Sequence, residues 1–263
     1  MKANKKKYKE EEVPLLQFDP DRNSLIEPHL FFKRYSRIPS HCVITFFHDV
    51  VSDFVRTKKA VKIASHYSEM GEHPVYRFKH NNKSYALFHP GVGAPLAAAL
   101  FEELIAMGCR KFIMCGGAGV LDRNIAQGNL IVPFSAVRDE GTSYHYLPPG
   151  REITASPEAV DAIKKVLLKH KIEHVITKTW TTDGFYRETR ERIKRRKSEG
   201  CLAVEMEAAA LFAVAKFRKV KIGQILYGGD NLDADKWEER GWPKNRSVRE
   251  KLIYLSAEAC ALL

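Results

Sequence analysis

The sequence predicts one α/β domain in which a mixed, twisted central sheet is flanked by helices. Three observations lead to this fold class: short apolar runs alternate with segments of helical periodicity, no repeat or low-complexity linker divides the chain, and 263 residues suit one substantial core. The regular pattern begins near residue 41. We therefore expect a domain over residues 41–263, preceded by a partly disordered N-terminal extension over residues 1–40 that starts with a Lys/Asn-rich tail at Lys2–Lys9.

The predicted elements follow one another along the chain. Consecutive apolar residues predict buried strands, whereas apolar residues at intervals of three and four predict helices. The predicted strands are 42–47, 75–79, 84–88, 111–115, 129–134, 175–181 and 222–227, with a hairpin turn at residues 80–83. The predicted helices are 49–70, 96–107, 157–168, the second half of 183–197, 205–217 and 248–262. Ser156 and Pro157 suit the cap and the first position of a helix.

Charge and composition narrow the classes of function. The net charge is +11, but basic residues are spread along the chain, and the densest cluster, residues 187–197, is interleaved with acids and lacks aromatic residues. That pattern favours a solvated helix face over a nucleic-acid interface, which stays a distant alternative. No long apolar segment predicts a membrane span. We therefore expect neither a nucleic acid nor a membrane as partner.

The cysteines and histidines are informative about compartment and metals. Five widely spaced cysteines, most in apolar surroundings, predict buried free thiols in a reducing cytoplasm. His170 and His174 have the spacing of a metal-binding helix pair. A helix pattern gives way to a strand between them, so the two rings are not expected to share a helix face, and we predict no metal site.

The most informative stretch is Gly200–Ala215, in which a short approach ends in Glu205, Met206 and Glu207 and an Ala-rich helix follows. A carboxylate is favoured at a helix start by the helix dipole and the unpaired backbone N–H groups. One interpretation is therefore a capping acid on an ordinary buried helix. However, apolar residues on both sides place these acids near the interior, where acids are rare unless they are paired or used in function.

Other residues with chemical potential lie at the ends of predicted strands, where ligands collect in such sheets. Two such strand ends, Gly91–Gly93 and Gly116–Gly119, are rich in glycine. Glycine would let backbone N–H groups approach an anion closely. Tight turns that need a positive φ would select glycine as well. Neither stretch matches the dinucleotide fingerprint in full, so a nicotinamide cofactor is not expected.

These motifs also resemble a known family. Val204–Leu211 is similar to the ribose-binding motif of the nucleoside phosphorylases of the uridine phosphorylase and bacterial purine nucleoside phosphorylase type, and further motifs follow in that family's order from about Val75 to Trp242. The resemblance implies the nucleoside phosphorylase fold and no cofactor, with a nucleoside and phosphate as substrates. It also implies a homo-oligomer, either a dimer or a trimer of dimers, with sites shared between subunits.

The resemblance implies roles for residues at both ends of a nucleoside. The residues matched to the ribose contacts are Glu205, Met206 and Glu207. The residues matched to the base-binding segment are Phe185, whose ring would stack on the base, Thr182 and Asp183. Asp230 matches the acid that protonates a departing purine, while an aspartate that caps the next turn is the alternative. Thr189 stands where pyrimidine-specific members carry a glutamine, which favours purine over uridine.

The resemblance is weakest at the phosphate site. Glycines of the family's phosphate and ribose loops are matched by Gly91, Gly93, Gly116 and Gly117. Arg138 is a candidate anion contact, with a structural ion pair to Asp139 or Glu140 as the alternative. Thr45–Val50 lacks the glycine and arginine of the family's first loop, and Met114 stands where an arginine is expected and Gly117 where a hydroxyl is expected. The remaining basic candidates are Arg187, His48 and His89.

From these residues we expect a nucleoside phosphorylase that cleaves the N-glycosidic bond of a nucleoside with phosphate, giving a free base and ribose 1-phosphate. A nucleosidase with the same base and ribose site is one alternative, favoured by the missing arginines. A non-catalytic nucleoside-binding protein is the other, although such a protein would not need the acid at Asp230.

Overall fold

A computed structural model describes residues 12–125, 127–241 and 246–263, so the expectation for Lys2–Lys9 lies outside the described residues. Within this part, the chain forms ten strands and six α-helices. The strands are β1 (His41–Thr45), β2 (Ala60–Ser68), β3 (Gly71–His80), β4 (Lys83–Phe88), β5 (Lys111–Val120), β6 (Leu130–Asp139), β7 (Glu152–Thr154), β8 (His174–Thr182), β9 (Cys201–Glu205) and β10 (Lys221–Asn231). The helices are α1 (His48–Arg56), α2 (Ala94–Met107), α3 (Pro157–Lys169), α4 (Arg190–Ser198), α5 (Ala208–Arg218) and α6 (Arg246–Cys260).

The strands form one mixed sheet that closes on itself over half of its width. The order is β10-β6-β8-β9-β5-β1-β4-β3-β2, and β10 pairs with β5 as well as with β6. Strands β5, β10, β6, β8 and β9 therefore make a ring, and β1, β4, β3 and β2 extend from it as an open sheet. Parallel pairs (β5 with β10, β6 with β8) occur beside antiparallel pairs (β5 with β9, β2 with β3). The expected α/β class with a mixed central sheet is confirmed.

Helices cover the sheet in two pairs, α2 with α5 and α3 with α6. Every side chain from Ala208 to Ala215 is buried, which explains why α5 is apolar all round and rich in alanine. Helix α6 packs on β1 and β5, and α3 packs on β10. None of the helices in the described ranges is both long and apolar enough to cross a bilayer.

Several predicted elements agree closely with the structure. The hairpin is formed by β3 and β4, and its turn residues Asn81 and Asn82 both have positive φ, a conformation that asparagine tolerates well. Pro157 opens α3 after Ser156, as predicted. His170 follows the end of α3 while His174 begins β8, so these two residues do not share a helix.

Three sequence-based boundaries were wrong. The helix predicted over residues 49–70 ends at Arg56, and β2 follows after a turn in which Lys58 has a φ of 57°. Residues 201–205 are strand β9, and the central helix begins at Ala208 rather than at residue 205. Gly116–Gly119 is not a turn but the second half of β5. A Cβ atom on Gly119 would collide with Leu232 and lie 3.0 Å from the Val204 side chain, so close approach between elements selects glycine there.

The extension before residue 41 packs on the helices over its described part. It contains two short 3₁₀ turns, Pro14–Leu16 and Pro28–Leu30. The Arg22 guanidinium lies 4.3 Å from the centre of the Phe217 ring, and Glu27 forms a 3.1 Å ion pair with Arg218. All five cysteines are buried, as predicted, and burial raises the pKa of the Cys115 thiol to about 11.

Candidate active site

A cavity of about 700 Å³ lies where the ends of β5, β9 and β10 meet the segment after β1. The register explains the meeting point, because β5 and β9 overlap only through Gly119–Val204 and Val120–Ala203, close to the carboxyl end of each strand. The polar side chains that line the cavity are Glu188, Glu205, Glu207, Gln224, Tyr227, Asp230, Trp237 and Arg249. Its apolar and backbone lining includes Phe46, Phe47, Val92, Gly116, Gly117, Phe185 and Met206.

Glu205 is fixed by hydrogen bonds within the protein. Its Oε2 accepts from the backbone N–H groups of Glu207 and Ala208, at 2.7 and 2.6 Å, and its Oε1 accepts from the Thr181 hydroxyl at 2.6 Å. Burial raises the pKa of this carboxyl, and the donors oppose that shift. Glu205 therefore satisfies N–H groups at the start of α5 and holds the backbone of residue 207 in place.

Glu207 is a second carboxyl group that lines the cavity. Its Oε1 accepts a 2.6 Å hydrogen bond from the backbone N–H of Gly93, which has a φ of 95°. Burial, with the charge of Glu205 as a second cause, raises the pKa of Glu207 to about 8. Met206 also lines the cavity, beside this carboxyl. The turn at Gly91–Gly93 thus reaches the site through the Gly93 N–H group and the Val92 side chain.

Aromatic and further acidic side chains also line the cavity. Phe185 and Tyr186 are 49% and 88% exposed, and their ring centres are 4.0 Å apart. Asp230 lies near the end of β10, and its Oδ2 accepts a 2.7 Å hydrogen bond from the Trp237 indole N–H. Burial, with Asp230 as the second cause, raises the pKa of Glu188 to about 7. These residues offer a planar surface and, at Glu188, a carboxyl group that exchanges a proton near neutral pH.

The structure does not bring every candidate to the cavity. Thr182 accepts a hydrogen bond from the Gly184 N–H at 3.2 Å, and Asp183 accepts one from the Gly141 N–H at 2.8 Å. Both side chains shape the loop before Phe185 and are not among the residues that line the cavity.

Arg138 also lies away from the cavity, so the expectation that it contacts the anion of this site was wrong. Its guanidinium is buried and donates to the Ser143 hydroxyl at 2.9 Å and to the Pro148 and Leu147 carbonyl oxygens at 2.7 and 3.2 Å. These acceptors tie the loop after β6 to the sheet. Arg138 therefore has a structural role, as the alternative held, but its hydrogen-bond partners are a hydroxyl group and two carbonyl oxygens instead of Asp139 or Glu140.

Sequence reasoning missed several polar residues of the cavity. Gln224 and Tyr227 lie in a strand that was predicted correctly, and a glutamine inside an apolar run was a signal that could have marked it. Arg249, Glu188 and Trp237 carry no local signal, because only the tertiary fold brings their segments to the strand ends.

The amino-acid sequence is similar to those of known phosphorylases. The family model described as the phosphorylase superfamily matches residues 40–256. Guanosine phosphorylase of Halorubrum lacusprofundi is 28% identical over 184 residues, which cover 68% of this chain and 74% of the relative. Uridine phosphorylase of Treponema pallidum is 29% identical over 192 residues, which cover 64% and 72%.

Solved structures agree on the fold. Purine nucleoside phosphorylase of Toxoplasma gondii has a TM-score of 0.73 at 21% identity and covers 85% of this chain and 91% of its own. AMP nucleosidase of Bacteroides thetaiotaomicron has a TM-score of 0.67 at 21% identity, with 89% and 90% covered. The expected nucleoside phosphorylase fold is confirmed, and the chain belongs to the phosphorylase superfamily.

Proposed function

We propose that this protein cleaves the N-glycosidic bond of a nucleoside by phosphorolysis, with a purine nucleoside favoured over uridine. One observation carries the proposal: a single cavity is lined by Glu205, Met206 and Glu207 together with Phe185 and Asp230. The first three residues suit a ribose, because the Glu207 carboxyl group can form hydrogen bonds with sugar hydroxyls. Phe185 and Asp230 suit a nucleobase, because Phe185 offers a ring face and Asp230 a proton.

In the proposed reaction, the bond between ribose C1′ and the base nitrogen breaks, and its electron pair stays on the base. A phosphate oxygen forms the new bond to C1′, which yields ribose 1-phosphate. Asp230 delivers a proton to the departing purine, and the Trp237 N–H holds the carboxyl group in position. The raised pKa of about 8 keeps Glu207 protonated at neutral pH in the free protein, and positive charge that develops on the sugar favours ionisation of this carboxyl group, whose charged form then stabilises it.

Glu188 is a carboxyl group that holds a proton near neutral pH. Burial, with the charge of Asp230 as the second cause, raises its pKa to about 7. The preference for purine is supported by this protonated group beside Asp230 and by similarity to a guanosine phosphorylase. The uridine phosphorylase relative is equally similar, so uridine belongs in the test.

Hydrolysis is the second candidate, because two side chains expected around phosphate are absent from β5. Met114 is fully buried, and Gly117 has no hydroxyl. A superfamily fold is also found in an AMP nucleosidase. In this alternative, water takes the place of phosphate and the products are the base and free ribose.

The deciding experiment measures base release from inosine, adenosine, guanosine and uridine with and without phosphate. Phosphate-dependent release supports the proposal, and equal release without phosphate supports hydrolysis. Asp230→Asn should lower the rate on a purine nucleoside by about 10²–10⁴-fold. The control Asp235→Asn removes an exposed carboxyl nearby and should leave the rate unchanged. The absence of release from all four nucleosides would overturn both candidates.

The family resemblance also implies a homo-oligomer, which forms part of this proposal. Light scattering on the purified full chain tests it directly, and a strictly monomeric protein would contradict it.

A further inference from the structure

Among the cavity residues that the structure describes, one basic side chain is present, Arg249 of α6. It is only 7% exposed, and its guanidinium carbon lies 5.3 Å from the centre of the Phe47 ring. Its Nε donates to the Tyr227 hydroxyl at 3.3 Å, and its Nη1 donates to Asp49 Oδ1 at 3.0 Å. Contacts from α1, β10 and the segment between β1 and α1 thus fix the guanidinium at the cavity wall.

Tyr227 brings a hydroxyl to the position that lacks one. It is the register partner of Gly117 on the neighbouring strand. A Cβ atom built on Gly117 would lie 3.3 Å from the Tyr227 hydroxyl oxygen, so this hydroxyl occupies the space next to residue 117. A side chain at residue 117 would therefore crowd the Tyr227 ring.

Gln224 supplies a further polar group on the same strand. It is the register partner of Met114, is 1% exposed and lines the cavity. Its Oε1 has no hydrogen-bond partner among the described residues. An amide oxygen only accepts hydrogen bonds, so its natural partner in the cavity is a ligand O–H group, such as the one that hydrogen phosphate carries. Met114 stands where an arginine is expected, and its register partner on the adjacent strand, Gln224, is polar.

We propose that Arg249, Tyr227 and Gln224 form a site for a tetrahedral oxyanion, with inorganic phosphate as the ligand. The inference rests on the proposed function, because this phosphate is the acceptor of the ribosyl group. An arginine presents a planar fork of N–H donors that matches two phosphate oxygens, the Tyr227 hydroxyl donates to another, and the Gln224 Oε1 accepts from the O–H group of hydrogen phosphate. The charge comes from α6 instead of β5, and Asp49 is a positioning residue for the guanidinium.

The 5′-phosphate of a nucleotide could occupy the same site as inorganic phosphate. Both ligands carry a tetrahedral dianionic group, so the experiment tests them separately. One arm uses inorganic phosphate with a nucleoside, and the other uses AMP and GMP in phosphate-free buffer.

The test compares Arg249→Gln with Lys251→Gln, which removes one positive charge from an exposed position on the same helix. Phosphate binding to the full-length chain is measured by titration calorimetry without a nucleoside, and the phosphate KM is measured where turnover exists. Arg249→Gln should raise both constants about 10- to 100-fold and leave the nucleoside KM within about twofold. Arg249→Lys should give an intermediate loss, and Tyr227→Phe a loss of a few fold.

The outcomes separate this site from the proposed function. Phosphate binding that depends on Arg249, without release of base, would support the site and overturn the function. Phosphate-dependent release that is unchanged in Arg249→Gln would support the function and overturn the site. Cleavage of AMP or GMP without phosphate, weakened by Arg249→Gln, would overturn free phosphate as the ligand. If Arg249→Gln does not fold, the Lys variant and the calorimetry of the wild-type protein decide, and no binding at millimolar phosphate overturns the site.

Discussion

Replacing Glu207 with glutamine should make the stability of this protein less sensitive to alkaline pH. Burial and the charge of Glu205 raise the pKa of Glu207 from 4.5 to about 8. Between these values, the folded protein holds a proton that the unfolded chain has lost, so the free energy of unfolding falls as the pH rises. The slope is at most about 1.4 kcal/mol per pH unit, and the whole interval gives a ceiling of about 5 kcal/mol.

Glutamine is a suitable substitution because it keeps the size and one acceptor of the side chain. Its amide oxygen accepts the Gly93 N–H bond, but the side chain has no charge to bury. Below pH 4.5, the variant and the wild type should therefore have similar stability. Above pH 8, the variant should be more stable by up to the ceiling given above.

The assay is urea unfolding of both proteins at several pH values from 4.5 to 9, with the difference in free energy plotted against pH. Other buried carboxyls with raised pKa values, such as Glu102 and Glu140, contribute to the slope of both proteins and cancel in the difference. Glu239→Gln changes an exposed carboxyl and serves as the control. Parallel curves for wild type and Glu207→Gln would refute the reasoning, because they would show that residue 207 ionises normally in the folded state.

Three further predictions concern the buried acceptor at the start of α5, the proposed contact with the base, and the packing of one glycine. Glu205→Ala should lower the free energy of unfolding by about 2–5 kcal/mol in urea titrations, because it leaves buried N–H groups at the start of α5 without an acceptor. Glu205→Gln keeps an acceptor oxygen and should lower the free energy of unfolding by less. Phe185→Leu should raise the nucleoside KM about 3- to 10-fold through lost ring stacking, and an unchanged KM would place the base elsewhere. Gly223→Ala should destabilise the protein by about 1–3 kcal/mol, because the new Cβ would lie 2.8 Å from the Ala159 Cβ. Gly141→Ala is the control: its new Cβ would have its nearest neighbour at 3.8 Å, so the free energy of unfolding should change by less than about 0.5 kcal/mol.

The sequence was most informative where local and tertiary preferences agree. Helix α3 starts at Pro157 and the β3–β4 turn lies at Asn81–Asn82, because both features are encoded by residues with strong backbone preferences. The helix predicted over 49–70 failed for the opposite reason. Its first part is an amphipathic helix, and Val61, Ile63 and Tyr67 continue the apolar pattern into a strand that β3 stabilises by pairing.

The candidate site shows the same division. Glu205, Met206, Glu207, Phe185 and Asp230 could be located from sequence, because each lies in a compact motif. The segment that contains Arg249 is separated from these motifs, and only the packing of α6 against β1 and β5 brings it to the cavity. Arg138 was misplaced because a basic residue at a strand end satisfies the sequence pattern equally well whether it binds an anion or a neighbouring loop.

The position of β10 has a consequence for the order in which this molecule becomes complete. Among the strands that the structure describes it is the last to leave the ribosome, yet it pairs with β5 on one side and β6 on the other. Until residues 221–231 emerge, both partners present unpaired backbone edges, which are prone to aggregate in a nascent chain. The same late strand carries Gln224, Tyr227 and Asp230, so these three residues reach the site only when β10 pairs with β5 and β6, and Arg249 follows with α6. A protein stalled before this strand would lack the site and would also be a substrate for chaperones that bind exposed strand edges.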